Sequence, residues 1–141
     1  MTRKIALVVI GFILILGFIW IIGIPSQQQY EVVIRYTERY ADQIGYDKPD
    51  EGYTFLIVTL DIENKIDRKF KTSPSFFNVI VNGVEYSHWG TPYLDDELKP
   101  VELHRGGRIS GSIAFEVPEG TTEYELTYWS VEPIRIQWIH Y

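Results

Sequence analysis

An all-β sandwich of about seven strands, carried behind one N-terminal transmembrane helix, is the architecture this sequence predicts. Three observations point there. Residues 5–24, IALVVIGFILILGFIWIIGI, contain no charged or strongly polar side chain. From Tyr30 onward the hydrophobic period is two, the mark of strands with one buried face. Gly, Pro, Asn and Asp interrupt that alternation about every ten residues, the turn spacing of a sandwich.

The apolar run comes first. As a helix rising about 1.5 Å per residue it spans roughly 30 Å, the thickness of a hydrocarbon core. Arg3 and Lys4 precede it, which places the N-terminus in the cytoplasm and the residues after Pro25 outside. Trp20 lies near the outer end. The run closes on IWIIGIPSQQQ, with no small-residue cleavage pattern, so it reads as a retained signal anchor. Gly11, Gly17 and Gly23 recur every six residues and do not share a helical face, which gives little support for a tight helix dimer. PSQQQ, residues 25–29, reaches at most about 18 Å and holds the outer domain close to the membrane. The expected organisation is a cytoplasmic N-terminus (1–4), a single-pass anchor (5–24), a linker (25–29) and an extracytoplasmic sandwich (30–141).

The strands come next, in chain order. Tyr30, Val32, Ile34, Tyr36 and Tyr40 share one parity, with Glu31, Arg35, Thr37 and Arg39 on the other. ADQIGYDKPDEG is polar and turn-rich. YTFLIVTLDIEN then puts Leu56, Val58, Leu60 and Ile62 on one face and Phe55 and Ile57 on the other, a central strand covered on both sides at its start. Asn82-Gly83 between two β-branched runs is a two-residue hairpin turn, since both positions accept φ > 0. YLDDELKP could form a short helix or turn ended by Pro100. Ile109, Gly111, Ile113, Phe115 and Val117 alternate with Ser110, Ser112, Ala114 and Glu116 until Pro118 and Gly120 stop the strand. Tyr124, Leu126 and Tyr128 share a face, as do Ile134, Ile136 and Trp138.

Composition removes several functions. An apolar fraction of 45% and an aromatic fraction of 15% exclude a disordered chain. All 19 acidic residues follow the apolar run, against 11 of the 13 basic ones, so the outer part carries −8. That balance argues against nucleic acid as a partner. With no cysteine there is no disulfide, thiolate metal site, cysteine nucleophile or lipid-bearing cysteine. Small disulfide-free extracytoplasmic domains suit bacteria and archaea better than animal secretion.

The stretches GYTFLIVTLDIENK, TSPSFFNVIVNGVEY, LHRGGRISGSIAFEVPEG and YELTYW together resemble the immunoglobulin-like extracellular domains of bacteria and archaea. That group includes a mycobacterial secreted antigen and a branch classed as a domain of unknown function. The resemblance spans about Tyr30 to Trp129 and rests on Asn64 closing the long strand, Asn82-Gly83, the paired Gly106 and Gly107, and Phe115-x-Val117-Pro118. It implies an immunoglobulin-like antiparallel β-sandwich, secreted or membrane-tethered, and it brings no catalytic motif. The missing lipobox cysteine and the terminal PIRIQWIHY depart from the pattern.

The candidate sites divide by their chemistry. Gly106 and Gly111 have the spacing of a phosphate-binding loop, but Ser112 and Ile113 stand where Lys and Ser/Thr are required and a strand follows. His88, His104 and His140 lack ligand spacing. Asp47, Asp50 and Glu51, and Asp95, Asp96 and Glu97, read as solvated turns rather than calcium loops. No cofactor or metal is implied. Two stretches remain as a candidate interaction surface. In SHWGTPY, His88, Trp89 and Tyr93 either anchor a partner or roof the core. In KIDRKFK, Lys65, Arg68, Lys69 and Lys71 meet anionic headgroups or an acidic partner, or simply face water.

Together these features predict a membrane-tethered extracytoplasmic binding module without catalytic activity, its partner a protein at the cell surface. A surface-filament subunit, and an accessory subunit using an exposed edge strand in IRIQWIHY, are the alternatives.

Overall fold

A computed structural model describes residues 30–141. The expected anchor and linker lie outside the described residues. In chain order the strands are β1 (Val32–Ala41), β2 (Tyr53–Asn64), β3 (Phe70–Thr72), β4 (Phe77–Val81), β5 (Val84–Ser87), β6 (Val101–Leu103), β7 (Arg108–Pro118), β8 (Glu125–Tyr128) and β9 (Ile136–His140), with one 3₁₀ turn at Pro74–Phe76. They form a four-stranded sheet in the order β7-β2-β1-β9, a three-stranded sheet β5-β4-β8 and a two-stranded pair β3-β6.

The core lies where the four-stranded sheet faces the other two. Leu56, Val58, Leu60 and Ile62 of β2 meet Ile113, Phe115 and Val117 of β7, Phe70 of β3, Phe77 and Val79 of β4 and Leu126 of β8. Burial of such side chains contributes about 1.5–3 kcal/mol each. The opposite faces of Phe55, Ile57 and Ala114 join Ile44 and Leu94 in a second, smaller cluster. β2 is thus covered on both faces, as its double apolar parity predicts. β1 is buried more fully at its start than its parity suggests, since Val33 is enclosed along with Val32 and Ile34.

All seven expected strands are present. The two additional ones, β3 and β6, have three residues each, too short to alternate visibly. The hairpin turn carries φ of 50° at Asn82 and 80° at Gly83, the double positive φ that the Asn-Gly pair permits. Gly111 is needed for proximity: a Cβ there would lie 2.5 Å from Leu98 Cα and 2.8 Å from its nitrogen. The segment across it, expected as a short helix or turn in YLDDELKP, contains turns but no helix. Asp96 O accepts from the Ser112 amide and Leu98 N donates to Ser112 O, so the chain lies extended along β7 instead of coiling on itself.

The fully antiparallel sandwich requires a correction. β1 pairs with β9 in parallel, Val32 opposite Ile136 and Tyr36 opposite His140, although every other ladder is antiparallel. The cause is topological. β8 ends at the pole where β1 begins, and residues 129–135 cross between sheets at that pole, so β9 starts beside β1 and runs with it.

The two poles differ in charge. The chain enters at Tyr30, where segments 65–69, 104–108 and 130–135 gather. These carry six Lys and Arg against Asp67 and Glu132. At the far pole, segments 42–52 and 119–123 carry Asp42, Asp47, Asp50, Glu51, Glu119 and Glu123 against Lys48.

Candidate functional site

Asn64 builds the entry pole. It is fully buried at the end of β2, where its Nδ2 donates to Arg68 O (2.7 Å) and Leu103 O (2.9 Å) and its Oδ1 accepts from the Ile66 amide (3.2 Å). Its backbone carbonyl accepts from Gly106 N (2.7 Å) and its amide donates to Gly107 O (3.0 Å). One side chain and its own peptide groups thereby fix both the 65–69 and the 104–107 turns. A buried amide is worth retaining when all its polar atoms are satisfied in this way.

The basic run divides into committed and free cations. Arg68 reaches Glu31 Oε2 at 2.9 Å, Glu132 Oε2 at 3.3 Å and Pro133 O at 3.2 Å, tying the crossing segment to the start of β1. Lys69 and Lys71 flank Glu102 at 3.9 and 3.7 Å. Arg108 pairs with Asp61 at 2.9 Å. Lys65, Arg105 and Arg135 are exposed and enter no ion pair among the described residues.

Beside this run lies a groove of about 480 Å³, lined by Lys69, Lys71, Phe76, Tyr128, Val131 and Ile134 together with Trp129. Trp129 is 62% and Val131 83% exposed. Tyr128 packs against Phe70 at 4.8 Å and Phe77 at 5.2 Å and donates its hydroxyl to Lys71 O at 2.7 Å. Burial pushes its phenol pKa up. A second hollow of about 340 Å³, with Pro100, Val101 and Glu102 on its wall, shares Lys71 and Phe76 with the first.

The other sequence candidates lie elsewhere. His88 bridges to Phe115 and the Trp89 amide donates to Ala114 O at 2.6 Å. The Trp89 ring sits 5.8 Å from Phe55 over the smaller cluster, 37% exposed, and Tyr93 packs edge-on to Tyr46 at 5.4 Å. These aromatics cover the outer face of the four-stranded sheet, so the structure does not bring them to the basic run. His88, His104 and His140 stand on separate segments, and among the described residues no group of three His, Asp or Glu side chains could hold a metal. The Gly106 turn feeds β7, not a helix.

One cluster has no local signal in the sequence. His140 Nε2 lies 2.6 Å from Glu38 Oε2, and its ring packs on Tyr36 at 4.9 Å. Tyr36 in turn meets Tyr124 at 6.5 Å and Trp138 at 6.2 Å. The Tyr124 hydroxyl is buried without a hydrogen-bond partner. Desolvation first, then the Glu38 charge, raises its pKa well above the ordinary phenol value. These residues border an open hollow of about 340 Å³. The His–Glu pair links β1 to β9 across 102 residues of sequence.

Comparison with known proteins agrees with this architecture. A crystal structure of a candidate lipoprotein (ycdA) of Bacillus subtilis superposes with a TM-score of 0.59 at 19% identity, covering 69% of this chain and 31% of that one. The chain therefore corresponds to about a third of that protein's length, and the likeness is one of fold. No curated protein matches the sequence. The profile of a domain of unknown function, DUF4352, matches residues 24–134, which takes in β1 to β8 and stops short of β9, and the chain belongs to the DUF4352 family.

Proposed function

We propose that the chain is a membrane-tethered, extracytoplasmic, non-catalytic module that holds a protein partner in the groove beside Trp129. The observation that carries this reading is the groove itself. Trp129 and Val131 stand exposed on its rim with Lys69 and Lys71 alongside. A concave apolar surface with an exposed indole and flanking cations is the usual anatomy of a protein-binding anchor. Its occupant is an apolar segment, since Lys69 and Lys71 already flank Glu102 and Glu132 lines the same groove.

The tether rests on the sequence of residues 3–24, and the absence of cysteine makes a helix the available anchor where lipid attachment would need a thiol. The likeness to a candidate lipoprotein is compatible with a place on the outer surface. The immunoglobulin-like assignment is supported by the four-stranded sheet facing the two smaller ones, the Asn82-Gly83 hairpin and the buried Asn64. A second reading, a filament or accessory subunit, is favoured by β9, which forms an edge of the four-stranded sheet and offers a strand for pairing.

A photo-crosslinking residue placed at Trp129, at Gln137 on β9 or at Asn82 in the full chain, in native membranes, tests these readings. The groove predicts a discrete adduct from 129 and none from 82. An adduct to a second copy from 137 alone transfers the assignment to the edge strand, and none from either position overturns partner binding. A soluble mature product beginning near Ser26 overturns the tether.

A further inference from the structure

We propose that the entry pole of the sandwich docks on an anionic lipid surface through Lys65, Arg105 and Arg135, which fixes the orientation of the domain on its membrane. The inference deepens the tethered reading and rests on it for the proximity of the bilayer.

Placement carries the argument. The Lys65 amide donates to Glu31 O at 3.0 Å and the Glu31 amide donates to Arg135 O at 2.9 Å, so these two cations flank the point where the chain arrives. Arg105 stands in the adjoining turn, which Gly106 N and Gly107 O bind to Asn64. The apolar run ends at Ile24, and the five residues 25–29 span at most about 18 Å. A linker this short lets a bilayer that holds residues 5–24 come within one Debye length of this pole, about 8 Å at physiological salt, where exposed charges still act. All three side chains are exposed and lack ion-pair partners among the described residues, in contrast to Arg68, Lys69, Lys71 and Arg108.

Charge distribution supplies the second observation. The domain is acidic as a whole, yet at this pole the carboxylates Glu31 and Glu132, Glu102 and Asp61 are engaged by Arg68, Lys69 and Arg108, which leaves Lys65, Arg105 and Arg135 against Asp67. The far pole is acidic. A negatively charged surface therefore attracts one end of the molecule and repels the other, and the attracted end is the one that the chain already delivers to it.

The test uses the full chain in bilayers of phosphatidylcholine alone and of phosphatidylcholine with one third phosphatidylglycerol. The sequence has no cysteine, so a single cysteine from Val131→Cys or Thr122→Cys carries an environment-sensitive dye, and a headgroup nitroxide lipid quenches it. Docking predicts strong quenching at 131 in the anionic bilayer, weak quenching in the neutral one and none at 122 in either. It also predicts loss of the anionic-lipid increment at about 0.5 M salt, where the Debye length falls to ~4 Å. Each Lys or Arg strengthens association about five-fold, so Lys65→Gln, Arg105→Gln and Arg135→Gln together weaken it about a hundred-fold and reduce quenching at 131 to the neutral-bilayer level. Their exposure keeps the fold intact, which an unchanged thermal midpoint verifies. Equal quenching at 131 in the two bilayers, or no change in the triple variant, overturns the proposal. If an alkaline wash strips the chain from both bilayers, the tethered reading fails separately. The dye at 131 on chain added to phosphatidylglycerol vesicles then still decides docking: quenching supports it and its absence overturns it.

Discussion

Replacing Asn64 by Ala removes the side chain that fixes two turns of the entry pole at once. Its amide nitrogen serves the carbonyls of Arg68 and Leu103, and its oxygen accepts from Ile66 N. Each such bond contributes about 0.5–1.5 kcal/mol net, and a buried carbonyl left without a donor costs about 1–3 kcal/mol. The Leu103 carbonyl bond is wholly buried, whereas those to Arg68 and Ile66 are partly exposed and recover water. The expected loss is therefore about 2–4 kcal/mol. For a domain of this size one kcal/mol corresponds to roughly 4 °C, so the midpoint falls by about 8–16 °C. Thermal melts followed by near-ultraviolet circular dichroism measure the shift, and native-state hydrogen exchange reports whether the Ile66, Gly106 and Gly107 amides lose protection first. A shift under about 2 °C, or unchanged protection at those amides, would refute the keystone role. Asn64→Asp sharpens the test. A carboxylate cannot donate to two carbonyls, and burial raises its pKa in the fold. A raised folded pKa means that stability is present below the ordinary Asp value of about 3.9 and lost as pH rises through the folded value, so the deficit against wild type is larger at neutral pH than in acid.

Tyr124→Phe removes a buried hydroxyl that has no partner, so stability at neutral pH is unchanged or rises by up to about 1 kcal/mol. The raised phenol pKa favours the neutral form in the fold; its contribution is present below about pH 10 and lost as pH rises above it, so melts repeated at alkaline pH fall less steeply for the Phe variant. Gly111→Ala forces a Cβ to within 2.5 Å of Leu98 Cα and costs about 1–3 kcal/mol in a denaturant titration, since backbone cannot yield as a side chain can. Arg68→Ala breaks contacts to Glu31, Glu132 and Pro133, yet the side chain is 39% exposed and the global cost is only about 1 kcal/mol; hydrogen exchange localises the effect to residues 130–135.

Where apolar parity persists over several residues, the fold was legible. β2 and β7 declare both their faces, and Asn82-Gly83 declares its turn, because these signals are local. Lys65 and Arg68 could be noted as basic, but their opposite fates depend on Glu31 and Glu132, which come from far along the chain. The same holds for Lys69, Lys71 and Glu102. The parallel pairing of β9 depends on which pole the 129–135 segment crosses, and no residue in PIRIQWIHY encodes that. YLDDELKP has turn chemistry that fits a short helix, but hydrogen bonds to Ser112 outweigh it. His140 and Glu38 meet only after both strands are aligned. Trp129 was visible as an aromatic, but its exposure follows from the crossing that carries it off the end of β8.

The parallel register of β1 and β9 has a mechanical consequence. The chain enters at the start of β1 and leaves after β9, and the two strands lie side by side over five paired positions, Val32–Tyr36 with Ile136–His140. Tension applied between the start of β1 and the end of β9 draws these neighbours past each other along their length. Their hydrogen bonds and the His140–Glu38 contact are then loaded together instead of peeling one at a time. A domain held at its base and pulled from its last strand yields at a higher force than one whose terminal strands run antiparallel.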